Sequence, residues 1–224
     1  MADTSKAQSR WKIKSSYLVT LKSSVGLLIV VVTGKILAEY VNYFPANFAA
    51  DFLQGRKNHF YGIYQWAFYS HILAGPVTLI VGLILVNDRF RLRWSRWHKR
   101  FGKLQIVTVL LVLTPSGLWM SFYALSGIGV KLGFASLALV TGYCAWKGWR
   151  HAVQRDFRRH RIWMLRCYVL LCSAVVTRIL GGTFVVLGIG ADWTYYLAAW
   201  GSWLVPLLIF EVGRRRKSTG ERGA

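Results

Sequence analysis

The chain has 224 residues, of which 54% are hydrophobic and only 17% charged, and its mean hydropathy is +0.37. Soluble domains of this size rarely combine such values, so the composition excludes an ordinary soluble protein and implies one polytopic membrane domain. The net charge of +21 lies in short stretches beside long apolar runs, where anionic lipid headgroups are the nearest partner, so nucleic-acid binding is set aside.

Six spans are expected in chain order. The first, about 18–39, is the least apolar: Lys22 and Lys35 leave twelve residues between them, and Lys35 stands one turn from Glu39. The residues after it offer no small-residue cleavage site, so an uncleaved helix is expected rather than a signal peptide. The second, 61–86, has no acidic or basic residue other than His71 in twenty-six, and the third, 104–125, has no charge in twenty-two; both exceed the roughly 20 residues that cross a ~30 Å hydrocarbon layer. The fourth, 131–149, has a fifteen-residue apolar centre bracketed by Lys131 and Lys147, whose ammonium groups can reach opposite interfaces. The fifth, 163–189, is long enough even with Arg166 and Arg178 inside it. The sixth, 193–210, contains Pro206, which a membrane helix tolerates when neighbours satisfy the freed carbonyl.

The resulting layout is an all-α, six-helix membrane bundle, residues 18–211, between basic tails at 1–17 and 212–224. Twenty-four of the twenty-nine Lys and Arg residues fall on one side of it. The positive-inside rule makes that side cytoplasmic, with both termini there, in a cytoplasmic membrane. Trp94, Trp97, Trp146, Trp149 and Trp163 cluster at the same side, as an interfacial aromatic belt does. Cys144, Cys167 and Cys172 all fall inside spans, so no disulfide framework is indicated. No zinc spacing, Walker motif or dinucleotide glycine pattern occurs, and no metal site is expected. On the opposite side the stretch 42–59 alternates aromatic and small residues around Pro45, a pattern that suits a short interfacial helix lying on the membrane.

Helical depth singles out a candidate site. His71 lies ten residues from Tyr61 and Arg178 eleven from Ile189, which puts both roughly 15 Å inside the bilayer at 1.5 Å per residue. Thr114, Ser116, Thr141 and Ser202 fall at similar depth, and Pro115 frees a backbone carbonyl among them. An ionisable side chain at that depth marks a site by default, although Arg178 and His71 could equally serve as packing clamps. An imidazole beside a fixed cation suits an anionic or quinone-like ligand.

A second group lies at the basic edge. His98 opens the third span and His160 the fifth, and two imidazoles at one depth could ligate a b-type haem, with basic loop residues pairing its propionates; Arg161 and Arg166 form a basic site at the same edge. Headgroup contact is the simpler reading of the same residues. His71 has no second mid-membrane histidine, so a central bis-histidine haem cannot form.

His71, the run HKRFGK from His98, TPSGLWMSFYAL from Thr114, Lys131-Leu132-Gly133-Phe134 and HRIWMLRCYVLLCSAVVTRIL from His160 together resemble a bacterial family of predicted membrane proteins known as a domain of unknown function, family 2306. The resemblance covers about residues 68–182. It implies a polytopic fold, and that His71, His98, His160, Arg161, Arg166 and Arg178 occupy the family's recurring polar positions; it implies no activity. A looser similarity links the histidine-bearing helices to b-type transmembrane cytochromes. The functional expectation is a redox component that binds haem or quinone. The alternative is an accessory subunit of a membrane complex or, below that, a small-solute carrier, which the lack of internal repeats disfavours.

Overall fold

The computed structural model describes residues 2–50 and 52–220, with side chains described for 20–50 and 52–216. The side chains of the basic stretch 1–17, and those beyond 216, lie outside the described residues. All regular structure among the described residues is helical, and six helices are long and apolar enough to cross a membrane: Thr20–Asn42, Ile63–Leu85, Ser95–Ser121, Ile128–Val153, Phe157–Val186 and Trp193–Arg216. No more than 33% of the most apolar window of any span is buried inside the protein. The rest faces outward, Leu111 at 70% and Val186 at 86% exposure among them. In water such surface would cost about 25 cal/mol per Å², whereas lipid chains solvate it.

Helix starts follow local capping as well as hydropathy. The third span begins at Ser95 rather than near Leu104, because the charged run SRWHKR carries the helix on beyond the apolar layer. The fifth starts at Phe157, where the Asp156 carboxylate accepts the Arg159 backbone N–H at 3.0 Å. The short helix Asp88–Arg93 between the second and third spans is capped likewise by Asn87, whose side-chain oxygen accepts from the Arg89 N–H.

The centre of the bundle is the cluster Ala74, Val109, Leu113, Cys144, Ala145, Cys167, Leu170 and Trp203, which joins the second to sixth spans. The three cysteines are free thiols. The first span attaches to one side of this core through Ile29, Val32 and Ile36, which pack on Leu79 and Val175. Close approach of the second and fifth spans depends on Gly82: a Cβ there would stand 2.5 Å from the Tyr168 ring, whose hydroxyl donates to the Leu79 carbonyl at 3.2 Å.

Ion pairs tie the basic end together. The guanidinium of Arg166 forks onto Glu211 at 2.6 and 3.2 Å, linking the fifth and sixth spans, while Arg214 reaches the same carboxylate at 2.8 Å. Arg166 also lies 4.3 Å from the Trp163 ring centroid. Arg161 donates to Asp88 at 2.7 Å, which fixes the fifth span to the short helix after the second. Slight burial pushes the Asp88 carboxyl up, but hydrogen bonds from Arg91 and Arg161 outweigh it and hold the group below its usual range.

At the other end the stretch 42–59 is, among the described residues, not the continuous helix that its composition suggests. It forms turns and a single helical turn, Lys57–Phe60, and folds inward as an aromatic lid. Tyr43, Leu53, Phe60, Tyr64 and Phe68 make its buried centre. Phe52 stacks on Phe68 with centroids 5.6 Å apart, and Tyr43 meets Phe68 edge-on at 5.4 Å. Aromatic rings bury more area against one another than against headgroups, which is why this composition closes over the bundle.

Glu211→Ala should leave the Arg166 guanidinium, four-fifths buried, without its partner. The expected cost is about 2 kcal/mol, seen as a lower unfolding midpoint in detergent. Arg166→Met with Glu211→Leu should recover most of it, and equal midpoints for wild type and Glu211→Ala would refute the role of the pair.

Candidate functional site

Beneath the aromatic lid the helices leave a cavity of about 330 Å³, within the size range of sites for small molecules. The second span contributes Tyr64, Phe68, His71 and Gly75, the third Leu113, Thr114 and Gly117, and the fourth Phe134, Ala138 and Thr141. The fifth adds Leu170, Thr177 and Arg178, the first adds Ile36 and Tyr40, and the lid supplies Tyr43, Phe52 and Arg56. His71 and Arg178, singled out by depth, therefore face one space. Each stands eight residues from the far end of its span, at Ile63 and Val186, or about 12 Å along the helix axis.

His71 is placed by a break in the third span. Pro115 has no N–H to give, and the preceding Val109–Leu113 forms a π-helical turn in which the Thr114 N–H bonds the Val109 carbonyl five residues back. Carbonyls on this stretch become available to side chains. The Ser116 hydroxyl donates to the Val112 carbonyl at 2.5 Å and lies 3.3 Å from the Leu113 carbonyl. With its one proton on the Val112 carbonyl, Ser116 Oγ accepts from His71 Nδ1, 3.0 Å away, in the tautomer protonated at Nδ1. That assignment puts the proton of the neutral ring on Nδ1 and the lone pair on Nε2. Gly117 makes room for the ring: a Cβ there would stand 3.1 Å from His71 Cε1.

The second span is opened by the same device. Pro76 leaves the Ile72 carbonyl without its helical donor, and the Tyr40 hydroxyl of the first span donates to it. Thr78 donates to the Gly75 carbonyl at 2.8 Å, while the Thr78 carbonyl accepts from Gln105 of the third span at 3.1 Å.

Arg178 is less enclosed than an isolated mid-membrane cation would need to be. Its side chain is 40% exposed, and its Nη2 is 3.8 Å from Glu39 Oε2 at the end of the first span. Glu39, expected to face Lys35, thus pairs across two spans. The pair lies at the cavity edge, with Tyr40 beside it.

The remaining polar residues divide. Thr141 lines the cavity, but its hydroxyl donates back to the Leu137 carbonyl at 2.7 Å. Thr114 also lines it; its Oγ1 has no hydrogen-bond partner among the described residues, and it packs where a Cβ on Gly142 would meet it at 2.8 Å. Ser202 is fully buried in the sixth span and is not part of the lining. Arg161 and Arg166 hold the carboxylates described above. Sequence reasoning missed Tyr43 and Arg56, because chain order does not show that a connecting segment folds back over the bundle, and Tyr40, because rotation about the first helix is set by its packing. Arg56 did carry a signal, as one of the few basic residues on its side.

His98 and His160 stand at the basic end within electrostatic reach of each other. The His160 Nδ1–H donates to the Gly148 carbonyl at 2.8 Å, which leaves its Nε2 as the free nitrogen. The His98 Nδ1 is buried with no partner among the described residues.

A family model described as Predicted membrane protein (DUF2306) matches residues 68–212, well over half of the chain, and the chain belongs to that family. No curated protein and no solved structure matches. The matched segment holds His71, Ser116, Gly117 and Arg178, whereas Glu39, Tyr40 and Arg56 lie before it.

The tautomer assignment is directly measurable. Two-bond ¹H–¹⁵N correlations of imidazole-labelled protein in micelles should show His71 protonated at Nδ1 when neutral. Ser116→Ala should shift the balance toward the Nε2-protonated ring; a wild-type ring protonated at Nε2 would overturn the donor and acceptor roles of Ser116 and His71.

Proposed function

We propose that this member of the DUF2306 family binds a quinone-type ligand in the cavity between His71 and Arg178, and acts as a redox component of a bacterial cytoplasmic membrane with its basic end in the cytoplasm. The observation that carries the reading is the His71 imidazole, held at Nδ1 by Ser116, in a largely apolar cavity that also meets the Arg178 guanidinium. A quinone needs an apolar enclosure for its ring and tail, a cation or donor at one ring oxygen, and a group at the other that can take or return a proton. Arg178 suits the first polar role. His71 suits the second, because Ser116 holds the imidazole by Nδ1 and leaves Nε2 to exchange the proton.

When bound, a quinone supplies two-electron, two-proton chemistry, and the electrons would be exchanged with a partner membrane subunit. This chain's own part is to orient the ring, exclude water beneath the aromatic lid, and hold the proton at His71. The second reading is a b-type haem at the basic end, favoured by the electrostatic proximity of His98 and His160 and by the Gly148 tie that orients the His160 ring. An accessory subunit that merely packs against partners would use neither feature.

Solvent extraction of the purified protein should release a near-stoichiometric quinone, with His71→Ala and Arg178→Ala each reducing the yield at least fivefold without changing elution in size exclusion. Absence of quinone from wild type, together with no saturable binding of an added short-chain quinone, would sink the proposal. An oxidised-minus-dithionite-reduced spectrum of the same sample tests the second reading: a b-type α band lost in His98→Ala, His160→Ala would support it, and a flat spectrum would remove it.

A further inference from the structure

The lid carries a second concavity on its outer side. Arg56, His59 and Lys131 line a pocket of about 330 Å³ together with Gly55 and the 122–125 turn, and none of its lining residues is a carboxylate. Arg56 is held rigidly: its Nε donates to the Phe52 carbonyl at 2.8 Å, and its guanidinium carbon lies 4.6 Å from the Phe52 ring centroid. These contacts satisfy one edge of the fork. The Nη1 atom is buried and has no hydrogen-bond partner among the described residues. A guanidinium arm without an acceptor is unfavourable, and the planar set of N–H donors on the fork matches an oxyanion.

The other two groups stand where they would complete such a site. Lys131 lies in the first turn of the fourth span, and the His59 ring meets Tyr123 edge-on at 5.9 Å. Three nitrogen-bearing side chains from two segments thus line one pocket, next to the first turn of a membrane-spanning helix. Arg56 also lines the inner cavity, so the two spaces share a wall.

We propose that this pocket binds a phosphate-type oxyanion, either the headgroup of an anionic phospholipid or a free phosphate ester, with Arg56 as the central donor. A lone oxyanion has several acceptor oxygens, which lets one ligand meet a guanidinium, an ammonium and an imidazole N–H together. The proposal does not require a quinone in the inner cavity, although Arg56 lines both spaces.

The chain has five histidines, so ¹³C-labelled imidazole signals of the full chain in neutral detergent micelles are separable, and His59→Gln identifies the reporter. Inorganic phosphate and short-chain phosphatidylglycerol are titrated separately at constant pH. A saturable shift of the His59 signal is expected, with the apparent affinity falling at least tenfold in Arg56→Ala and in Lys131→Gln while the His71 signal stays in place. Saturation by both probes marks a site open to free anions, and saturation by the lipid alone marks a headgroup site; either supports the proposal. No saturable shift with either probe, or equal affinity in both variants, overturns it. Should Arg56→Ala fail to fold, Lys131→Gln decides alone.

Discussion

In a hydrocarbon layer no water is available to a backbone group that loses its helical partner, so each such group must be claimed from within the protein. The organisation of this bundle follows from how that demand is met at two prolines. Pro76 strips the Ile72 carbonyl of its donor, and Tyr40 supplies one from the first span. Ahead of Pro115 the helix widens into a π turn, and Ser116 takes the carbonyls it offers. Because the hydroxyl's only proton is used there, its oxygen is left to accept from His71. A local requirement of the backbone therefore bears on which nitrogen of a distant histidine carries the proton. Breaks in two neighbouring spans make the cavity and supply its polar order at once.

Charge is distributed by the same economy. At the basic end, carboxylates are few, and each serves several cations: Glu211 binds Arg166 and Arg214, and Asp88 binds Arg91 and Arg161. Arg166–Glu211 and Arg161–Asp88 join separate helices and so resist splaying at that end, whereas Arg214 and Arg91 pair within their own helices. At the other end the Glu39–Arg178 pair is looser, at 3.8 Å and with both side chains more than a third exposed. A partner for Arg178 lowers the cost of keeping a guanidinium inside a span, and a loose one leaves it able to turn toward a ligand.

Six spans were legible in the sequence because length and apolarity are properties of uninterrupted runs. Span ends were less so: Ser95–Arg100 is helical despite its charge, since a helix continues for as long as its backbone bonds do and capping residues stop it. Helical depth brings His71 and Arg178 to one level because helical rise is nearly invariant. It could not separate Thr141, which lines the cavity, from Ser202, which does not, because rotation about a helix axis depends on packing partners. The π turn in the third span compounds this, since face assignments counted from a regular 3.6-residue period fail beyond it. The lid was the largest miss. Its aromatic residues suit an interfacial helix and an inward fold equally well by composition, and only contacts with Tyr64 and Phe68 decide between them.

The π turn also sets a phase. One extra residue is accommodated in Val109–Leu113 without lengthening the helical ladder, so everything after it is rotated by about 100° relative to an unbroken helix. Ser116 and Gly117, which meet His71, lie in the rotated part. The third span is thus two helical frames joined end to end, one that meets the core through Val109 and another that meets the ligand space. A single-residue deletion in the turn would leave composition and hydropathy almost untouched, yet would turn the second frame's faces to different neighbours. For chains of this kind, alignment gaps inside a membrane helix carry more information about the site than most substitutions do.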